Sequence, residues 1–225
     1  MTATNKIDRA ALTLAVVKVG NGGRGFIVEN KYGRIVITAA HCLAGDGRQL
    51  PPAHPFSHLK ERTYAKLLGP LGKAKPKVWA ECLFADPLAD IAVLGSPDGQ
   101  ELYDEAEAYE QFVDAVTPIT IADAPKQGTE WVKPAYSGAK LRAFKAATPG
   151  KGAALVLSLN NKWHDCTVTR HGCGLSVDQD ALIKGGMSGS PILAATGHAI
   201  GLVSTGELNP VLVEALPPRI GLKTK

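Results

Sequence analysis

The sequence predicts an all-β protein made of two β units joined by one short helix, and three observations predict it. Short runs rich in apolar and β-branched residues recur along the chain, each bounded by Gly, Pro or Asn. One segment, 100–116, breaks that rhythm with helical spacing. The 225 residues, 45% hydrophobic and 20% charged, can bury a sizeable core as one large domain or two small barrels.

The first element is a choice between a leader and a strand. Lys6 and Arg9 precede an apolar stretch, 10–17, as in a signal peptide. A small-residue cleavage site should then follow, but the run meets Lys18 and a glycine turn, Gly20-Asn21-Gly22-Gly23. Its β-branched content reads as a first strand, 14–19, running straight into the first unit. Without a leader, the four cysteines read as thiols in a reducing compartment, and the expected location is cytoplasmic.

Further strands are expected at 25–29, 34–38, 78–84 and 91–94, and in the second half at 131–134, 140–144, 154–159, 166–169, 175–179, 191–193 and 199–203. Between them Leu102, Tyr103, Ala106, Tyr109, Phe112, Val113 and Val116 share one helical face against an acidic one, and Pro118 ends the helix. The expected units are therefore 1–116, closing with this connector, and 117–225. A formal charge of +4 with scattered Lys and Arg gives no nucleic-acid footprint. No apolar run approaches the roughly 18 residues that span a bilayer, so no membrane partner is expected.

Three segments carry chemistry. In Gly185-Gly186-Met187-Ser188-Gly189-Ser190-Pro191, a serine between glycines suits a tight turn that projects its hydroxyl and points N–H groups inward. A bland turn would use the same residues. Thr38-Ala39-Ala40-His41-Cys42 ends an apolar strand with an imidazole, a candidate general base, though a lone histidine after a strand is more often structural. Asp90-Ile91-Ala92-Val93-Leu94 opens a strand with a carboxylate that could fix a histidine tautomer, and Asp86 is its rival.

Together these segments resemble the chymotrypsin-like (trypsin-like) serine peptidases, in the bacterial-type branch. The order His, Asp, Ser is theirs rather than that of subtilisin or the α/β-hydrolases. Thr-Ala-Ala-His-Cys, Asp-Ile-Ala-Val-Leu and Gly-x-Ser-Gly-Ser-Pro each resemble the family's motifs. Gly23-Arg24-Gly25-Phe26-Ile27 is similar to the glycine-flanked strand before the histidine in bacterial members, and Gly201-Leu202-Val203-Ser204-Thr205-Gly206 to the strand that holds substrate. The resemblance implies two antiparallel β-barrels, the first carrying His41 and Asp90 and the second Ser188. It implies a serine endopeptidase with these three as its triad, Gly186 and Ser188 as oxyanion donors, and Leu182, Val203, Ser204, Thr205 and Gly206 along the substrate. Ser204 would also help hold Asp90. The implied partner is a protein or peptide substrate, with no cofactor or metal in the chemistry, and a regulatory partner or a further domain beside it.

The pattern also departs from the family. Secreted members place an aspartate directly before the nucleophile to bind the amine freed by zymogen cleavage, and this sequence has Met187. The partner for a disulfide at Cys42 is missing from the Gly25-Phe26 region, so Cys42 reads as a buried thiol. Leu182 stands where trypsin-specific members carry an acid, which implies an uncharged primary pocket. His164, Cys166, His171 and Cys173 could form a zinc site, a disulfide or ordinary strand and turn residues. His54 and His58 read as solvated. Two rival functions remain: a catalytically silent binding module and a serine esterase.

Overall fold

The computed structural model describes residues 7–30, 33–44, 62–72, 74–86, 90–122, 151–171, 174–177, 183–204 and 212–215. Among the described residues, twelve strands form two closed six-stranded antiparallel barrels. The first barrel holds β1 (Val16–Val19), β2 (Gly23–Asn30), β3 (Gly33–Thr38), β4 (Thr63–Pro70), β5 (Val78–Asp86) and β6 (Ile91–Gly95), in the order β1-β2-β3-β6-β5-β4. The second holds β7 (Lys151–Leu157), β8 (Trp163–His171), β9 (Gly174–Val177), β10 (Pro191–Ala194), β11 (Ala199–Val203) and β12 (Leu212–Ala215), in the order β10-β11-β12-β9-β8-β7. The strands expected at 131–134 and 140–144 lie outside the described residues.

Neighbouring residues on a strand face opposite ways, and here both faces are covered. On β2, Ile27 packs among Val17, Val36, Leu68 and Leu94 inside the first barrel. Phe26 and Val28 instead join Leu155, Leu157, Leu193 and Leu202 in a second cluster that draws on both barrels. That is why the run Phe26-Ile27-Val28 is apolar without alternation. A third cluster, of Val156, Cys166, Val168, Leu175, Met187, Ile192 and Val203, belongs to the second barrel alone.

The start of the chain differs from expectation. Arg9–Leu14 is a helix, α1, rather than the beginning of a strand. Asp8 decides this locally: its carboxylate accepts the N–H groups of Ala10 (3.0 Å) and Ala11 (3.1 Å), and good helix formers follow. The helix lies against the second barrel before the chain enters the first. Trp163 Nε1 donates to Arg9 O and Thr13 Oγ1, and Arg9 pairs with Asp165 at 2.9 Å.

The expected amphipathic helix is present as α2 (Tyr103–Asp114). Tyr109 and Val113 bury against the first barrel, and the Tyr109 hydroxyl donates to Leu94 O at 3.2 Å. Arg34 on β3 donates to Val113 O in the last turn and to Val116 O just beyond it, so a cation completes the helix C-terminus. The chain then crosses between barrels: Ile119 N–H bonds Ile27 O of β2, and Ile121 pairs with Ala199 of β11.

Candidate active site

β3 ends at Thr38, and a single 3-10 turn, Ala40–Leu43, follows it. No side chain of the turn itself caps it; Asp90, just before β6, does so from the strand paired beside β3. Its main-chain O accepts from Ala40 N (3.1 Å) and its Oδ1 from His41 N (2.9 Å). The same carboxylate reaches the ring, with Oδ2 2.7 Å from His41 Nδ1. Ser204 Oγ, just past β11, donates to Oδ2 at 2.5 Å. Asp90 holds a left-handed backbone, φ 50°, a strained conformation that fits a side chain aimed by its surroundings.

The electrostatics follow from that geometry. The hydrogen bond to Asp90 lifts the His41 pKa well above the ordinary histidine value; the adjacent Cys42 sulfur adds to the rise, and partial burial opposes it. Burial alone would raise the Asp90 carboxyl, but the hydrogen bonds from His41 and Ser204 outweigh it and leave its pKa below the usual carboxylate value. With Nδ1–H directed at Asp90, the neutral ring keeps Nε2 as an acceptor. The His41 side chain is 45% exposed against 18% for Asp90, so the imidazole faces solvent and the carboxylate stands behind it.

The serine loop is fastened to the histidine segment. Ser188 O accepts from Arg24 N at 2.7 Å and lies 3.6 Å from Cys42 Sγ, one residue beyond His41. Gly189 N–H bonds Val203 O (2.6 Å) and Val203 N–H returns to Ser190 O (2.9 Å). Two glycines carry the tight turn, Gly186 at φ 88° and Gly189 at φ 81°. A Cβ on Gly189 would stand 1.8 Å from Arg24 O, so only glycine fits there. Met187 is fully buried in the second-barrel cluster, and Lys184 N–H points to its sulfur at 3.4 Å.

The other expected residues are distributed unevenly. Val203 has no exposed surface; its side chain packs in the second barrel while its main chain clasps the serine loop. Leu182, Thr205, Gly206, His54, His58 and Cys173 lie outside the described residues. Asp86 ends β5 and pairs in register with Ile91, so Asp90 rather than Asp86 meets the histidine. Cys42 is half-buried rather than buried, its sulfur lying where a Gly23 side chain would be. In the proposed zinc set, His164, Cys166 and His171 all lie on β8, seven and five positions separating the first two from His171. At strand rise that is roughly 23 and 16 Å of chain. Among the described residues no group of three His, Cys, Asp or Glu side chains stands as a metal site.

Sequence reasoning missed Arg24. It is only 6% exposed, yet its guanidinium donates to Leu157 O, Ser158 O, Leu159 O and Asn161 Oδ1 of the β7–β8 hairpin. The signal was available: a cation sits inside the run Gly23-Arg24-Gly25-Phe26-Ile27, which is otherwise glycine and apolar.

A double barrel with a His–Asp pair on one half and a glycine-flanked serine loop on the other is the frame of a serine protease. The chain belongs to the trypsin-like peptidase domain family, whose model matches residues 23–202. None of the curated proteins matches it by sequence. Among solved structures it is similar to a serine protease of human pathogenic astrovirus, at 15% identity and a TM-score of 0.47 over 92% of this chain and 91% of that one. It is also similar to the Rv3671c protease in an inactive form, at 16% identity and a TM-score of 0.46 over 92% and 85% of the two chains. The inactive serine-to-alanine mutant of Rv3671c from M. tuberculosis H37Rv gives 16% and 0.47, over 94% and 85%.

Proposed function

We propose that this chain is an endopeptidase that cleaves protein or peptide substrates through an acyl-enzyme on Ser188. Its carrying observation is the bonded chain Ser204–Asp90–His41, with the Ser188 carbonyl tied to the residue after His41. In the family's established scheme, Ser188 Oγ attacks the scissile carbonyl and His41 Nε2 takes its proton. The carbonyl oxygen becomes an oxyanion, received by the N–H groups of Gly186 and Ser188, which meet no acceptor among the described residues. The imidazolium hands its proton to the leaving amine. Water, deprotonated by the same nitrogen, then releases the acid and restores Ser188. Asp90 holds the tautomer and the imidazolium throughout.

A fluorophosphonate probe tests this directly. It should label wild-type protein at Ser188 and leave Ser188→Ala unlabelled. Wild-type protein that never labels would favour a silent binding module, and labelled protein that turns over esters but no member of a peptide library would favour an esterase.

A further inference from the structure

We propose that Arg24 is a positioning residue: a buried cation that sets the oxyanion loop by joining the β7–β8 hairpin to the serine turn. The proposal rests on the triad reading above and goes beyond it, because Arg24 touches neither substrate nor reacting atoms.

Three sets of contacts meet at this one residue. Its guanidinium binds three successive main-chain oxygens, Leu157 (3.2 Å), Ser158 (3.1 Å) and Leu159 (3.2 Å), together with Asn161 Oδ1 (3.3 Å). Its main-chain N–H holds Ser188 O at 2.7 Å, and its main-chain O accepts Thr38 Oγ1 at 2.6 Å. Hairpin, nucleophile turn and the end of β3 are therefore fixed from a single position on β2. A Cβ on Gly186 would meet Leu159 Cδ2 at 3.4 Å and Gly22 O at 3.5 Å. Thus Gly186 is flanked by the hairpin on one side and, on the other, by the turn that leads into the Arg24 strand. Leu159 itself stays 48% exposed, so its contact with the loop is made by one face of the side chain.

The chemistry of the cation suits the task. A planar guanidinium offers five donors in a fixed fork and can bind several carbonyls in one geometry, which a lysine cannot reproduce. All four of its partners in the hairpin are uncharged oxygens. Its charge is thus spent on a backbone shape rather than on an ion pair. An oxyanion loop works only if its N–H groups already point at the place where charge develops. Where no terminal ammonium reaches the residue before the nucleophile, a permanent internal cation can supply the ordering.

The test combines steady-state kinetics with amide hydrogen exchange of the 185–188 segment, on full-length wild type, Arg24→Met, Arg24→Lys, Leu159→Ala and the Arg24→Met/Leu159→Ala double variant. Arg24→Met should lower kcat on the order of 10²-fold with KM nearly unchanged, since misplacement of about 1 Å costs that much. Its 185–188 amides should exchange faster, and Arg24→Lys should recover part of both losses. Leu159→Ala should lower kcat in the same sense, with the double variant no worse than Arg24→Met alone. Folded Arg24→Met with wild-type kcat and exchange would overturn the proposal, as would a loss confined to KM or fully additive losses. If Arg24→Met does not fold, Leu159→Ala decides, and unchanged kcat and exchange in that variant sink the idea. Exchange is read without substrate, so faster exchange in a protein with no turnover would count against the triad reading and not against Arg24.

Discussion

At the scale of single residues, Asp90 does three things with one side chain and one carbonyl: it caps the turn that carries His41, orients the ring and stabilises its charged form. Asp90→Asn keeps the shape but can present an amide N–H to Nδ1, which selects the wrong tautomer. We expect kcat to fall on the order of 10⁴-fold. Asp86→Asn should do little, and the reverse pattern in paired kinetic assays would reassign the carboxylate. The same contact sets the pH dependence. His41 must be neutral to act as base, and its pKa is raised, so kcat/KM should climb with pH at a midpoint above that of an ordinary histidine. In Asp90→Asn that limb should move down toward about 6.5. For stability the sign is opposite. The ion pair contributes fully below the unfolded histidine pKa and is lost as pH rises through the folded one. Ser190 is a plainer case, because its hydroxyl is fully buried and has no hydrogen-bond partner among the described residues. A buried hydroxyl left unpaired costs about 1–3 kcal/mol, so Ser190→Ala should melt at the same temperature or higher and keep its activity. A clear drop in melting temperature would show that the hydroxyl has a role the geometry does not reveal.

At the scale of elements, legibility in the sequence followed the strength of local patterns. The apolar strands β2, β3 and β6, the helix α2 and the glycine turn around Ser188 were all readable, because burial on both faces, helical spacing and positive φ each leave a compositional mark. The strand β4 was not, since Lys66 interrupts it in a left-handed conformation and Gly69-Pro70 ends it like a loop. The short β12 has four residues and earns its place from partners on both sides, β11 and β9, rather than from its own pattern. α1 was misread because Val16 and Val17 made one apolar run of what are two elements, divided at Ala15. Its cap is testable: Asp8→Ala removes two hydrogen bonds to the first turn and should cost about 1 kcal/mol in a denaturant melt. No change would mean that packing under Trp163 alone fixes the helix. Of the candidate site, the residue types were legible and the connections were not. Neither the left-handed backbone of Asp90 nor the reach of Arg24 across the barrels can be read from neighbours in sequence.

At the scale of the whole molecule, the question is what keeps the serine loop in working shape. In secreted relatives an aspartate before the nucleophile meets an ammonium released by cleavage, and folding of the loop waits for that event. Here Met187 fills the corresponding place, fully buried among Val156, Cys166, Ile192 and Val203. Burying a methionine is worth roughly 1.5–3 kcal/mol, and it asks for no partner. A terminal ammonium brought to the same place would stand unpaired, at a cost of several kcal/mol. The segment from Ile7 through α1 is engaged elsewhere, with Ile7 and Leu12 against Gly197 and Arg9 against Asp165. The loop is also clasped from outside by Val203 and Arg24. On the endopeptidase proposal, core packing and inter-barrel hydrogen bonds should stand in for the zymogen ion pair, and no cleavage should be needed. Protein carrying an N-terminal tag should react with a fluorophosphonate as made, at the rate seen after the tag is removed. Met187→Asp should lose about 3 kcal/mol of stability, because its carboxylate would enter an apolar cluster without a partner. An intact chain that stays inert until it is cut within its first thirty or so residues would show that a terminal amine is required after all, and that the packing around Met187 describes a loop already switched on.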